Sequence, residues 1–203
     1  MSKELSEMTL EELWQLFPIY LTEHNDKWDT WYYEEYQSLC AILTDTGARI
    51  SHIGSTAIEN IWAKPIIDIL VEIPLENDIS EVKKLIVQNG YICMAENAQS
   101  ISFNKGYTEN GFAEKVYHLH VRYWGNNDEL YFRDYMNSNP LIATEYEKLK
   151  LSLWKPYEHN RDGYTNAKSE FVSKYTQKAK EEYKGRYLSN NYYKADTPFP
   201  FHS

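Results

Sequence analysis

A glycine-serine turn, one carboxylate and two histidines are the residues of this chain whose types and spacing could do chemistry. Gly54-Ser55-Thr56 lies between two apolar runs, residues 50–53 and 65–73. Glycine permits positive φ and close approach. Such a turn can therefore aim backbone N–H groups and a hydroxyl at one point, a nest of the kind that binds phosphate oxygens. Most Gly-Ser pairs are ordinary turns, so the pair alone decides nothing. Asp68 adds weight, because it puts a charge among the isoleucines of the second run. A carboxylate in a buried strand is costly unless it is paired, hydrogen-bonded or facing a cation.

On a strand, positions 68, 70 and 72 share one face. Two carboxylates at i and i+2 could hold Mg²⁺ and position a nucleoside triphosphate (NTP) for in-line attack. Position 70 is Leu here, and the next acid is Glu72, about 13 Å of strand away. The two-carboxylate set is incomplete. His118 and His120 are also spaced by two on a strand-like run. Beside Asp68 they would make a mixed His/carboxylate metal site; on their own they read as a hydrogen-bonded pair on a half-buried sheet. Lys64 stands at the mouth of the Asp68 strand, where it could pair with Asp68, reach a phosphate or simply be solvated. Arg161, Tyr164 and Lys168 share a helical face if their segment is helical from its start. They could hold an anionic substrate, or form a wetted helix surface.

The elements that must position these residues can be read from periodicity. Thr9 and Glu12 have capping-box spacing for a helix over residues 10–17, which Pro18 ends. Residues 18–22 read as an edge strand or an extended lead-in. Asp26 is the candidate cap for a helix over 27–46 with an aromatic stripe. Asp78 or Ser80 can cap a third helix, whose Val82, Leu85 and Ile86 would face inward and which Asn89-Gly90 ends. Strands are expected over 91–95, 100–104 and 115–124. Helices follow over 128–136, 140–154 and 161–187, and a tail from residue 189 shows no period. One domain is expected over 1–203. It has an α+β core to about residue 125, built on a mixed sheet with helices packed on it, and a C-terminal helical section over 126–188.

Composition narrows the function classes. A net charge of −9 argues against broad capture of DNA or RNA, which needs a basic face. Cys40 and Cys93 have no metal-type spacing and read as buried thiols in a reducing compartment. No apolar leader or membrane-length run occurs, so a cytoplasmic, soluble protein is expected.

The stretch I-S-H-I-G-S-T-A-I-E-N-I-W-A-K-P-I-I-D-I-L-V resembles the signature of the GrpB family of the nucleotidyltransferase superfamily. H-L-H at His118, Y-F-R-D-Y at Tyr131, Y-E-K-L-K at Tyr146 and R-D-G-Y-T-N-A-K-S-E-F at Arg161 extend the resemblance over about residues 17–183. It implies a polymerase-β-like core, a mixed sheet with helices on one side, its Gly-Ser turn at nucleotide phosphates and its Asp strand at metals. Gly54, Ser55 and Asp68 match that pattern. Leu70 departs from it, and His118 or His120 stands where a third acid is usual.

Three functions follow as expectations. The first is transfer of a nucleotidyl group from an NTP to a small acceptor, with a divalent metal (Mn²⁺, Zn²⁺ or Mg²⁺). Gly54, Ser55 and Thr56 would hold phosphates, Asp68, His118 and His120 the metal, and Lys64, Arg161 and Lys168 the developing charge. The second, favoured by Leu70, is non-catalytic nucleotide or metabolite binding on the same scaffold. The third is metal-dependent hydrolysis at the Asp/His trio.

Overall fold

The computed structural model describes residues 4–188, and the tail expected from residue 189 lies outside them. α1 (Leu10–Leu16) opens with the expected capping box. The Glu12 N–H donates to Thr9 Oγ1 at 3.2 Å and the Thr9 N–H to Glu12 Oε2 at 2.7 Å, satisfying two helix-end donors reciprocally. The chain then runs extended, burying Phe17, Ile19 and Leu21; an isolated bridge joins Thr22 to Ala63, the Ile19 N–H donates to the Glu158 carbonyl at 2.7 Å and Trp154 Nε1 donates to the Ile19 carbonyl at 2.8 Å. α2 (Lys27–Ile42) begins where expected, but Asn25 rather than Asp26 supplies the side-chain acceptor, to the Lys27 N–H at 3.0 Å. It ends before residue 46, replaced by a 3₁₀ turn over Thr44–Thr46 that Gly47 closes at φ 64°.

Five strands form one sheet in the order β1-β2-β5-β4-β3: β1 (Arg49–Ile53), β2 (Ile67–Ile73), β3 (Ile92–Glu96), β4 (Ser100–Thr108) and β5 (Gly111–Tyr123). β2 and β5 pair in parallel and every other pair is antiparallel. Between β2 and β3 lies α3 (Ile79–Gln88), capped by Asp78 Oδ1 accepting from the Ser80 N–H at 2.8 Å. α4 (Asp128–Ser138), α5 (Pro140–Trp154) and α6 (Arg161–Glu182) complete the chain.

Every residue of β2 except Asp68 is buried. A strand that is apolar on both faces needs cover on both faces, and it has it. Ile67, Ile69, Val71 and Ile73, with Leu119 and Val121 of β5, pack against Trp28 and Leu39 of α2 and Val82 and Ile86 of α3. On the other face Ile53 and Leu70 pack beneath Leu130 and Phe132 of α4, Tyr146 of α5 and Tyr175 of α6. Helices thus lie on both sides of the sheet, not on one. Among the described residues no helix is long and apolar enough to cross a membrane. Cys40 and Cys93 are free and half-buried, which corrects the expectation of buried thiols.

Candidate active site

Parallel pairing of β2 with β5 sets Asp68 opposite His118 and Leu70 opposite His120. Paired residues share a face, so Asp68, His118 and His120 all lie on the side covered by the C-terminal helices. The preceding turn fits over Asp68. Gly54 sits at φ 73°, and a Cβ there would come within 2.8 Å of Asp68 Cβ and Cγ and overlap Oδ2. Only glycine meets both demands. Ser55 is half-buried at the same turn.

Thr56 does not face a ligand. It is 1% exposed; its Oγ1 donates to the Ile66 carbonyl at 3.2 Å and lies 3.0 Å from His52 Nε2. With its proton committed to Ile66, Thr56 accepts from His52 and pins the turn to the strand entry. Its hydroxyl is thereby occupied within the protein.

His118 links Asp68 to a residue that periodicity did not single out. Its Nδ1 is 3.1 Å from Asp68 Oδ1, its Nε2 is 2.8 Å from the Tyr107 hydroxyl, and Arg161 Nη1 donates to that hydroxyl at 2.7 Å. Donor rules fix the direction for a neutral imidazole. Arg161 can only donate, so the Tyr107 oxygen accepts and its proton goes to Nε2; Asp68 can only accept, so Nδ1 carries the ring proton. Burial pushes the Asp68 carboxyl up. The hydrogen bond from His118 and the nearby charges of His118, His120 and Lys64 outweigh burial, and its pKa is lowered. Tyr107 reaches this face through a β-bulge between Lys105 and Tyr107, which reverses side-chain parity. Gly106 permits the bulge, because a Cβ there would lie 3.0 Å from Val116 Cα and overlap the Lys115 carbonyl.

His120 does not converge with Asp68 and His118 in a metal-holding group. Its Nδ1 lies 3.4 Å from Ser102 Oγ, and burial lowers its pKa. Glu72 is occupied as well, accepting from the Gly125 N–H at 3.1 Å and Asn127 Nδ2 at 3.0 Å. Leu70 is fully buried. Among the described residues no three His, Cys, Asp or Glu side chains could hold an ion together. With both His118 nitrogens engaged, the donor set does not fit a resident divalent metal, contrary to the metal set of Asp68, His118 and His120 expected from the sequence.

The cations do converge. α6 is helical from Arg161, with Asn160 Oδ1 accepting from the Gly163 N–H at 2.8 Å, so Arg161, Tyr164 and Lys168 share a face as expected. The Lys168 and Lys64 ammonium groups lie 4.5 and 5.5 Å from the Tyr164 ring centroid. Burial, then the charges of Lys168 and Arg161, bring Lys64 down to about 7 against the pull of Asp68. Lys150, 1% exposed, donates to the Trp62 carbonyl; burial first and Lys168 next bring it to about 7 too. Arg161 Nε and the Tyr164 hydroxyl are buried with no hydrogen-bond partner. Among the described residues neither Lys64, Arg161 nor Lys168 has a carboxylate within ion-pair distance. In a chain of net charge −9, three cations without a carboxylate at ion-pair distance thus gather near one carboxylate, Asp68.

The comparisons agree with this architecture. The crystal structure of the conserved protein GrpB from Enterococcus faecalis superposes with a TM-score of 0.70 at 31% identity, covering 81% of this chain and 99% of that one. UPF0157 protein YqkA of Bacillus subtilis is 33% identical over 170 residues, 82% of this chain; the match spans about half of that relative, 49% of its length. A weaker likeness, TM-score 0.46 at 12% identity over 70% of this chain and 44% of the other, is to the Cid1 poly(U) polymerase with MgGTP bound. The family model described as GrpB protein matches residues 18–178, and the chain belongs to the GrpB family.

Proposed function

We propose that this protein binds the phosphates of an NTP between the Gly54-Ser55 turn and the cations Lys64, Arg161 and Lys168, and transfers a nucleotidyl group to a small acceptor. The observation that carries this reading is the unpaired cation cluster facing Asp68. Charge gathered there without carboxylate partners is stabilised when a polyanion enters, and it is placed to take up charge on a departing pyrophosphate. The ion that accompanies a triphosphate enters as part of the substrate. The acceptor would lie on the half-buried polar floor of β4 and β5, where Ser102 and Asn104 stand opposite His120 and His118.

Titration calorimetry with ATP, GTP, CTP and UTP in MgCl₂ tests the binding. Arg161→Ala and Lys168→Ala each remove a charge-assisted contact, worth about 1.5–3 kcal/mol, and should weaken affinity roughly tenfold to a hundredfold. If no NTP binds the parent chain, the reading fails. The burial of Leu70 favours a second reading, nucleotide binding without transfer. Its mark would be tight binding with no pyrophosphate released in the presence of a small-molecule extract.

A further inference from the structure

We infer that Tyr107 is itself a nucleophile, and that the protein nucleotidylates its own Tyr107 hydroxyl. This rests on the NTP reading of the same site. The pieces of nucleophilic activation are a hydroxyl, a base within hydrogen-bond reach and a third group that orients the base. The structure holds all three in order. The Tyr107 hydroxyl is 2.8 Å from His118 Nε2, and His118 Nδ1 is 3.1 Å from Asp68 Oδ1. Arg161 adds a fourth part, donating to the phenol oxygen at 2.7 Å, where negative charge grows as the proton leaves.

The ring is held by Phe17 and Phe112, with centroids 4.7 and 5.2 Å away, and lies nearly parallel to the His118 ring at 19°. That packing fixes the hydroxyl toward the base. Any buried phenol takes hydrogen-bond partners; what singles out Tyr107 is that its partners are an imidazole in turn held by a carboxylate and a guanidinium. Burial raises the Tyr107 pKa while Arg161 opposes it, so the phenol stays protonated until the base acts.

The step balances without a redox partner. The Tyr107 oxygen attacks the α-phosphorus of the NTP, forming a phosphodiester and breaking the bond to the β-phosphate bridging oxygen. Pyrophosphate leaves toward Lys64 and Lys168. The phenol proton passes to His118 Nε2, and the imidazolium so formed is held by Asp68 through Nδ1–H until the proton is lost to solvent. The product is either an intermediate that passes the nucleotidyl group to an acceptor or a mark that blocks the cleft.

The test uses the full chain incubated with each NTP and MgCl₂ or MnCl₂, with intact-mass and tandem mass spectrometry, and with calorimetry on the same preparation. The expected result is one nucleoside monophosphate per chain, stable to acid and located on Tyr107. It should be absent from Tyr107→Phe and lost at least tenfold in rate from Asp68→Asn, with circular dichroism and NTP binding checked for both. NTP binding to the parent with no adduct overturns self-modification and leaves the proposed function standing. An acid-labile adduct on Lys64 places the nucleophile on the amine and overturns it too. Failure of all NTPs to bind overturns both.

Discussion

His52 and Lys64 are the residues where burial acts most directly on charge. His52 is 8% exposed and stacks on Tyr32 at 4.6 Å with an interplanar angle of 10°. Burial and the charge of Arg133, against the opposing pull of Asp68, bring its imidazole from 6.5 to about 3. Between pH 6.5 and about 3 the unfolded chain therefore binds a proton that the folded chain refuses, and stability falls as pH drops through that window. A shift of this size corresponds to roughly 3–5 kcal/mol at full extent. Urea midpoints from pH 7 to pH 4 should fall for the parent and fall markedly less for His52→Phe, which keeps the stacked ring and cannot titrate. Parallel curves for the two proteins would show that His52 is not the acid-sensitive group. Lys64 is lowered to about 7, so the unliganded amine is largely neutral above that pH. A phosphate prefers the ammonium, and binding above pH 7 must then take up a proton. Affinity for ATP should weaken by up to about tenfold per pH unit between pH 7.5 and 9, with heats that depend on the buffer. Lys150 lies in the same field, but it is sealed and committed to the Trp62 carbonyl, so Lys64→Met should remove most of the slope. An unchanged slope in that variant would assign the proton elsewhere.

At the scale of elements, the turn over Asp68 and the centre of β2 respond to substitution for different reasons. Gly54→Val places a β-branched residue at φ 73° and drives its Cβ into the Asp68 carboxylate. Backbone strain alone is worth about 1–3 kcal/mol, and the overlap adds to it. A loss of 3 kcal/mol or more in denaturant unfolding is expected, and a loss below 1 would mean that the turn relaxes freely. Leu70→Asp supplies the carboxylate missing from the i+2 position, but it supplies it inside the apolar cluster with Ile53, Leu130 and Tyr175. The expected outcome is destabilisation of several kcal/mol and no gain in Mg²⁺ affinity; calorimetric Mg²⁺ binding in a folded variant would reverse that reading.

These two sites also mark how much the sequence could tell. Helix starts at Lys27, Asp128, Pro140 and Arg161 were legible because caps, Pro and apolar period all act locally. The Gly54-Ser55 turn, Asp68 and the cation face of α6 were legible from residue type. The burial of the Leu70 strand was legible from its apolar run, but what covers Leu70 was not, since the cover comes from helices far along the chain. Tyr107 was hidden by the register shift at Gly106, where the pairing passes from Lys105–Tyr117 to Tyr107–Phe112 and strand parity inverts, and period-2 reading stops where parity changes. The shared face of Asp68, His118 and His120 was legible because it is a property of register; the hydrogen bonds each imidazole makes, which decide convergence, were not.

For the whole molecule, the decisive contrast is between an acidic chain and a cationic cleft. A net charge of −9 repels a polyanion at long range, whereas Lys64, Arg161, Lys168 and the sealed Lys150 attract one at short range and repel each other when none is there. Lys64 enters from the lead into β2 and Arg161 and Lys168 from α6, so their mutual repulsion acts between the sheet and the C-terminal helices. A bound triphosphate would hold these elements together, and this should appear as global stabilisation. At 100 times Kd a ligand selective for the folded state contributes about 2.7 kcal/mol. For a domain of this size that is roughly 5–10 °C in Tm, at about 2–4 °C per kcal/mol. Thermal unfolding at fixed ionic strength should therefore show ATP and inorganic tripolyphosphate raising Tm by that amount, with equal ionic strength of NaCl raising it much less. Arg161→Ala with Lys168→Ala should start from an equal or higher Tm, because two repelling charges are gone, and should respond little to either ligand. A double variant that begins lower and still gains several degrees from ATP would place the cations in structural support and the anion somewhere else. If tripolyphosphate acts and no NTP does, the cleft recognises a phosphate chain without a nucleoside, and the turn at Gly54 would be reading phosphate alone.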